Sequence, residues 1–322
     1  MKLLVHFLPA RYGDSIWVEY GEDDDLHHIL IDGGTAGTAT AIEKLIGELP
    51  VGKKHLDLVV ITHIDQDHIA GILKLLSADD LNFTIGDLWF NGWDHLNSDG
   101  NIEAFGAKQG ERLSAAIIKH KLSWNKAFDN GPVVISDIYN LPVRIFPGNM
   151  KLTLLSPLTA DLLKLRPVWV AEIVKANLVP GYGTDKDDDS QPGEVEVFGA
   201  TTPDIEGLSR QSFTEDDGEA NASSIAFLAQ YGGKNILFTG DALPGKILVR
   251  LQSIQPEGKL NIDLFKISHH ASAGNTSPEI LKKLNCKLHA ISTSGASYYH
   301  PAPATIARII KIGGPKAKLV FN

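Results

Sequence analysis

Leu56-Asp57-Leu58-Val59-Val60-Ile61-Thr62-His63-Ile64-Asp65-Gln66-Asp67-His68 is the stretch on which the fold turns. Its first half is apolar and rich in β-branched residues, the composition of a strand buried on both faces. Its second half sets His63, Asp65, Asp67 and His68 within six residues of one another. The spacing of Ile69, Ile72, Leu73, Leu75 and Leu76 then predicts a helix. Strand, polar loop and helix in that order place the four polar side chains at a strand's C-terminal end, where α/β folds build their sites. Taken as an extended turn, positions 63, 65 and 67 project to a common side, and the Asp67-His68 pair reaches a second point from the same loop. Mixed imidazole and carboxylate donors suit Zn2+, Mn2+ or Fe2+, and a larger carboxylate share shifts the preference toward Mn2+. The cluster predicts a site for one or two divalent ions.

Working outward, residues 3–8 and 15–20 read as two strands of a hairpin turned by Gly13-Asp14. A third strand, 28–31, ends in Asp32-Gly33-Gly34, and a helix is expected over 40–49. Residues 83–150 read as an insertion or a continuing sheet edge, with a helix near 112–121 and a turn-rich 142–149. A strand over 151–155 and a helix over 159–165 follow. The acidic stretch 181–220 is poor in apolar residues and reads as a surface loop or a lid. Strands at 224–230 and 235–239, joined by Tyr231-Gly232-Gly233, lead to Gly240-Asp241. After a helix over 244–252, a strand at 262–267 delivers Ser268-His269-His270, and a strand at 288–292 opens into the loop that carries His300. A helix over 304–312 and a strand over 318–321 close the chain. Both halves thus repeat a strand-then-polar-loop order, which predicts two facing sheets with helices outside. One domain over 1–322 is expected, with an insertion at about 83–150 and an acidic loop at about 181–220.

The 322 residues are 43% apolar and 21% charged, which places them among globular proteins and excludes disordered and fibrous classes. A net charge of −9 disfavours nonspecific binding to polyanions, although bound divalent cations offset part of it. The apolar runs fall well short of the roughly 20 residues that span a bilayer. No membrane span is expected. The first residues lack the apolar core of a signal peptide, so cytoplasm is the expected location. Cys286 is the only cysteine, which excludes an internal disulfide and a cysteine-cluster metal site. Lys282, Lys283 and Lys287 beside it could lower its thiol pKa, yet no histidine partner is evident and it is given no role.

The run Thr62-His63-x-Asp65-x-Asp67-His68 resembles the H-x-H-x-D-H signature of the metallo-β-lactamase superfamily, with Asp65 in place of the second histidine. That variant is similar to the soluble hydrolase domain of the ComEC/Rec2 family of DNA-uptake proteins. Gly13-Asp14, Leu30-Ile31-Asp32-Gly33-Gly34, Asn221 with Ser223-Ser224, Phe238-Thr239-Gly240-Asp241-Ala242, Lys266-Ile267-Ser268-His269-His270-Ala271-Ser272 and Tyr299-His300-Pro301 fall in that group's order. The resemblance covers the chain outside 83–220 and implies an α/β fold, a four-layer αββα metallo-β-lactamase sandwich. It also implies that Asp241 bridges two metals. One of His269 and His270 would then ligate the second metal, while the other contacts substrate or orients a ligand. The family's third histidine of the first metal, expected before Ser223, is missing, and Asn221 lies nearest.

The metal set so implied is His63, Asp65, Asp67, His68, Asn221, Asp241, His269 and His270, for Zn2+ or Mn2+, with Mg2+ also admitted. Asp67, Asp241, His270 and His300 are the implied catalytic residues, His300 to donate to a substrate phosphate or to protonate a leaving group. Asp14 and Asp32 are read as either turn residues or orienters of ligands. The remaining histidines, at 6, 27, 28, 55, 95, 120 and 289, show no ligand spacing and are read as structural. The expected activity is hydrolysis by a metal-bound hydroxide, with a phosphodiester, in nucleic acid or a nucleotide, as first substrate. Carboxylic ester, lactone or thioester hydrolysis is the alternative. A non-catalytic module with a degenerate metal site is a third reading, motivated by the missing histidine.

Overall fold

The computed structural model describes residues 1–22, 24–96, 108–175, 203–295 and 299–322. Strands β1 (Lys2–Phe7), β2 (Ile16–Glu22) and β3 (Asp25–Ile31) form an antiparallel meander. Helix α1 (Ala39–Glu48) crosses over the sheet to the short β4 (His55–Leu56) and then β5 (Leu58–Val60), which lies parallel to β3. Helix α2 (Gln66–Leu75) crosses in the same way past β6 (Thr84–Ile85) to β7 (Leu88–Trp89), and α3 (Lys108–Lys119) packs beside α2. The first sheet therefore runs β1-β2-β3-β5-β7.

The second half supplies β8 (Val143–Phe146), β9 (Met150–Ser156) and the helices α4 (Thr159–Lys175), α5 (Ile205–Ser209) and α6 (Glu219–Ala222). There follow β10 (Ala226–Tyr231), β11 (Lys234–Phe238), α7 (Pro244–Ile254), β12 (Leu260–Ile262) and β13 (Leu264–Lys266). The chain ends in α8 (Pro278–Lys283), β14 (Leu284–Cys286), β15 (Leu288–Ile291), α9 (Pro303–Gly313) and β16 (Lys318–Phe321). The second sheet has the order β16-β15-β13-β11-β10-β9-β8.

Period-two alternation decides what each strand buries. Ile29 and Ile31 on β3, and Leu58 and Val60 on β5, face the second sheet and pack with Leu152, Leu154, Phe227, Ile236, Phe238 and Leu264. Leu30 and Val59 point the other way, into a cluster with Ile42 and Ile46 of α1, Ile69 and Ile72 of α2, and Leu113 of α3. On the far side Leu228, Leu237, Phe265 and Ile291 bury against Ile247 and Leu251 of α7, Leu281 of α8 and Ile309 of α9. Helix, sheet, sheet, helix is the four-layer order expected from the sequence. Among the described residues no helix is long and apolar enough to cross a membrane.

Several local expectations are corrected. β1 and β2 are joined by residues 8–15 rather than by a tight Gly13-Asp14 turn, because that loop packs on the candidate site, with Asp14 N donating to Asp67 O (3.3 Å). The turn-rich 142–149 contains β8, and β7 and β8 extend the first and second sheets respectively. Residues 63–67 are not one extended turn. Helix α2 begins at Gln66, with Asp65 as its N-cap residue and the Asp65 carbonyl accepting from His68 N (3.0 Å) and Ile69 N (3.1 Å). Asp67 and His68 thus lie in a helical first turn, because the backbone finds its hydrogen bonds there at once. Of the acidic stretch, 181–202 lies outside the described residues, while 203–220 carries α5 and the start of α6.

Candidate metal centre

The loops at the C-terminal ends of β3, β5, β11 and β13 meet at one rim of the sandwich, and backbone contacts lock α2 against the Asp32-Gly33-Gly34 turn. Gly33 N donates to His68 O (2.7 Å), and Gly71 N donates to Gly34 O (3.0 Å). The approach needs glycine on both sides, since a Cβ on Gly71 would lie 1.9 Å from Gly33 O. Asp32, in a left-handed conformation (φ 58°), turns its carboxylate inward. It accepts from Thr62 N (2.7 Å), Thr62 Oγ1 (2.8 Å) and His68 Nδ1 (2.8 Å).

Four imidazoles are held by the same logic. Each commits its Nδ1–H to a protein acceptor and leaves Nε2 for the centre. His68 donates to Asp32. His63 donates to Thr62 Oγ1 (3.0 Å), whose own proton goes to Asp32. His269 donates to Asn275 Oδ1 (3.0 Å), and His270 donates to Ser292 O (2.7 Å). The free Nε2 atoms converge on one carboxylate oxygen, Asp241 Oδ2. The distances are 3.8 Å from His63, 3.5 Å from His68, 3.7 Å from His269 and 3.9 Å from His270. Two more carboxylates join them: Asp65 lies 3.4 Å from His63 Nε2, and Asp67 lies 3.4 Å from His270 Nε2.

His269 and His270 are neighbours in the chain, and in an extended strand their rings would point apart. Here both adopt the left-handed region (φ 47° and φ 51°), which turns the two rings to the same rim. For a non-glycine residue this conformation costs roughly 1–2 kcal/mol, and such strain persists where the surroundings demand it.

Residues 8–96 match the model of the Metallo-beta-lactamase superfamily. The four-layer arrangement of the two sheets and their helices is consistent with the metallo-β-lactamase fold. No curated protein matches the chain. Among solved structures it is similar to a Parabacteroides distasonis protein described as a metal-dependent hydrolase, with 12% identity, a TM-score of 0.42, and coverage of 99% of this chain and 92% of that one. It is also similar to CmlA, a diiron β-hydroxylase from Streptomyces venezuelae, with 11% identity, a TM-score of 0.45 and coverage of 98% of this chain. The chain spans 52% of CmlA's length. MIM-2 metallo-β-lactamase aligns at 10% identity and a TM-score of 0.33, over 84% of this chain and 82% of its own.

This rim fits a divalent cation by its own chemistry. His63 Nε2, His68 Nε2, His270 Nε2 and Asp241 Oδ1 are buried without a hydrogen-bond partner among the described residues. Leaving such groups unsatisfied is costly, so the arrangement calls for a ligand. The Nε2-to-carboxylate spacings of 3.4–3.9 Å are long for direct hydrogen bonds. They suit donors sharing a metal, because bonds of about 2.1 Å in a tetrahedron set neighbouring ligands about 3.4 Å apart. Among the described residues, Asp14, His68, Asp241 and His270 offer ligand atoms all within 4.8 Å of one another.

The local field already favours positive charge. Burial pushes the Asp241 carboxyl up, but His269, His68 and His270 outweigh it and hold it well below the usual carboxylate range. Burial likewise raises Asp67, yet His68 and His270 bring it down to about 2. Burial opposes protonation of His68, while Asp241, Asp32 and Asp67 raise it well above the ordinary histidine value. His269 follows the same balance, burial against Asp241 and Asp216, and reaches about 9. Protons on these rings occupy the field that a divalent cation would take over.

His300 stands beside this cluster, its ring 5.3 Å from His269 and 6.4 Å from His270. Burial, then the neighbouring charges of His269 and His270, push it down to about 4. At neutral pH it is an uncharged imidazole, so it acts as an acceptor or a single hydrogen-bond donor and not as a cationic anchor.

Asn221 touches the cluster through its amide nitrogen, which donates to Asp216 Oδ2 (2.6 Å) and lies 3.4 Å from His269 Nδ1. Sequence reading left Asp216, Asn275 and Lys266 without roles. Asp216 sits in the acidic stretch read as surface. Lys266 is almost wholly buried in a strand and pairs with the equally buried Asp14. A lysine inside an apolar strand was the signal that could have found that pair. Cys286 is buried, and burial pushes its thiol up to about 11, so the neighbouring lysines do not lower it.

Proposed function

We propose that the chain is a metal-dependent hydrolase whose substrate is a phosphodiester, in nucleic acid or a nucleotide. The observation that carries this reading is the donor set around Asp241, which combines buried imidazoles with the partly exposed carboxylates of Asp65 and Asp67 at one rim. Carboxylate-rich sites favour hard cations, and paired cations suit displacement at phosphorus because both attacking and leaving oxygens need stabilisation. His63, Asp65, Asp67, His68, Asp241, His269 and His270 would hold the ions, together with Asn221, whose Oδ1 is buried without a hydrogen-bond partner among the described residues. A bound Zn2+ or Mn2+ supplies Lewis acidity and lowers the pKa of water at the site. Asp32 sets the tautomer of His68, and His300, neutral at working pH, donates to or accepts from the group nearest it. The similarity to the ComEC/Rec2 domain supports nucleic acid as the polymer. The lone buried cysteine suits a reducing compartment such as the cytoplasm.

The test is turnover of bis-p-nitrophenyl phosphate and of single-stranded DNA with Mn2+ or Zn2+, beside the Asp241→Ala variant. Metal-dependent turnover lost in that variant is expected. A wild-type protein with metal bound and no turnover of either above the variant refutes the phosphodiesterase reading. Turnover of p-nitrophenyl acetate or a lactone instead places the activity with carboxylic esters. Absence of bound metal, with no rescue on adding it, points to a non-catalytic module.

A further inference from the structure

Strand β15 carries a histidine where its pattern calls for an apolar residue. Period-two alternation turns Ala290 toward the first sheet and sets His289 and Ile291 toward the helical layer. Ile291 buries there among aliphatic side chains, and the His289 ring lies 6.4 Å from that of Phe265 in the same layer. His289 is only 3% exposed, yet its Nδ1 has no hydrogen-bond partner among the described residues. A buried ring nitrogen left unpaired is costly, so the position calls for a polar partner from outside the chain.

A cavity of about 310 Å3 opens beside this ring, between α8, β14 and α9. That volume is at the lower end of the range for small-molecule sites, about 300–1,000 Å3. The cavity lies at the start of β15, whereas the metal centre lies beyond the strand's end, where Ser292 O holds His270. Leu284, Ile309 and Ile312 form the floor, and the exposed Lys259, Lys287 and Lys316 stand around the mouth. Among the described residues no carboxylate lines it. Asp263, whose charge reaches the adjacent Cys286, is engaged by Lys234 at 2.8 Å. Other nearby lysines have partners: Lys282 pairs with Glu279 (3.9 Å), Lys283 donates to Gly258 O (2.9 Å), and Lys311 pairs with Glu206. Lys259, Lys287 and Lys316 have no acidic partner among the described residues. In a chain of net charge −9, three such groups at one opening set a local positive field over an apolar floor.

We infer that this cavity binds a small phosphate monoester whose apolar body ends in a hydrogen-bonding group. Three ammonium groups suit a dianion, and lysine meets phosphate as a point charge. The body covers the aliphatic floor and is drawn there by the area it removes from water. Its inner end reaches His289 Nδ1, the one polar ring atom at that depth left without a partner among the described residues. Burial holds the His289 ring below the ordinary histidine value, so it meets the ligand uncharged, as a neutral hydrogen-bonding group.

Isothermal titration calorimetry of the intact chain with 4-hydroxyphenylphosphonate, whose carbon–phosphorus bond resists hydrolysis, tests this. One molecule should bind per chain, in wild type and in Asp241→Ala alike. Lys287→Glu combined with Lys316→Glu should weaken binding by about 10-fold or more. Phenylphosphonate, which lacks the hydroxyl, should bind wild type about 3–10-fold more weakly, and the two compounds should bind His289→Phe equally. 4-Hydroxybenzoate, with a single charge, should bind more weakly than 4-hydroxyphenylphosphonate. No binding to wild type overturns the inference, and so does binding that is lost in Asp241→Ala but kept in the lysine variant. An undiminished advantage of the hydroxyl in His289→Phe overturns the part given to His289, and equal affinity for 4-hydroxybenzoate overturns the phosphate headgroup. Should His289→Phe fail to fold, an unmoved Nδ1 resonance of His289 in nitrogen NMR of saturated wild type is the contrary result. The cavity stands apart from the metal centre, so each of these failures leaves the metal-dependent reading intact.

Discussion

Replacing Asp32 by Asn should weaken metal binding without unfolding the protein. Asparagine keeps the size of the side chain and tolerates the left-handed backbone at this position (φ 58°). It cannot keep all three hydrogen bonds. If the amide oxygen stays on Thr62 N (2.7 Å), the amide nitrogen faces Thr62 Oγ1 and His68 Nδ1, which now both point donors at a donor. The Thr62 hydroxyl can rotate and accept. His68 must change tautomer, moving its proton to Nε2, the atom that faces Asp241 at 3.5 Å. A ligand whose lone pair is occupied must first be restored, and losses of about 10–100-fold in metal affinity accompany changes to such supporting carboxylates. That corresponds to about 1.4–2.7 kcal/mol. Competition against a chromophoric chelator measures it, with thermal unfolding of the apo protein as the check on folding. Asp57→Asn is the control, since Asp57 also accepts from buried groups, His28 N (2.9 Å) and His27 Nδ1 (3.2 Å), but at the opposite end of β3. Equal metal affinity in Asp32→Asn and wild type, or equal losses in both variants, refutes the tautomer argument.

Metal binding should release protons, and affinity should rise with pH up to about 9, because the raised pKa of His68 and the value of about 9 at His269 mean that protons occupy the rings at neutral pH. Calorimetry in buffers of differing ionisation heat reads this directly, and buffer-independent heats contradict it. Gly71→Ala should destabilise the fold by about 1–3 kcal/mol as overpacking does, since its Cβ would meet Gly33 O at 1.9 Å; an unchanged urea midpoint counts against that packing. Cys286 should alkylate slowly in the native protein at pH 8. A thiol pKa of about 11 against an ordinary 9.0 leaves about 100-fold less thiolate, so equal iodoacetamide rates in native and urea-unfolded protein would show the thiol to be exposed.

Strand and helix positions were largely legible because each half alternates a buried strand, a polar loop and an amphipathic helix, and both periods are local properties of the chain. The run from Leu58 through His68 announces its strand, and the metal-type donors that follow it, within a dozen residues. The helical first turn of α2 was not read, because nothing in Asp65-Gln66-Asp67 says whether its backbone bonds forward or stays extended. Asp241 stood out through resemblance and the His269-His270 pair through its place after an apolar strand as well, since a Gly-Asp turn and paired histidines by themselves have ordinary structural readings.

The tertiary structure alone decided which polar groups share a centre. Asp32 and His68 are 36 residues apart, Asn221 and His269 48, and Asp14 and Lys266 252. Hydrogen-bond partnership across such separations is fixed by how the two sheets stack and where their loops meet. For that reason Asp216, in a stretch whose composition suggests solvent, became legible only once the loops met at the rim.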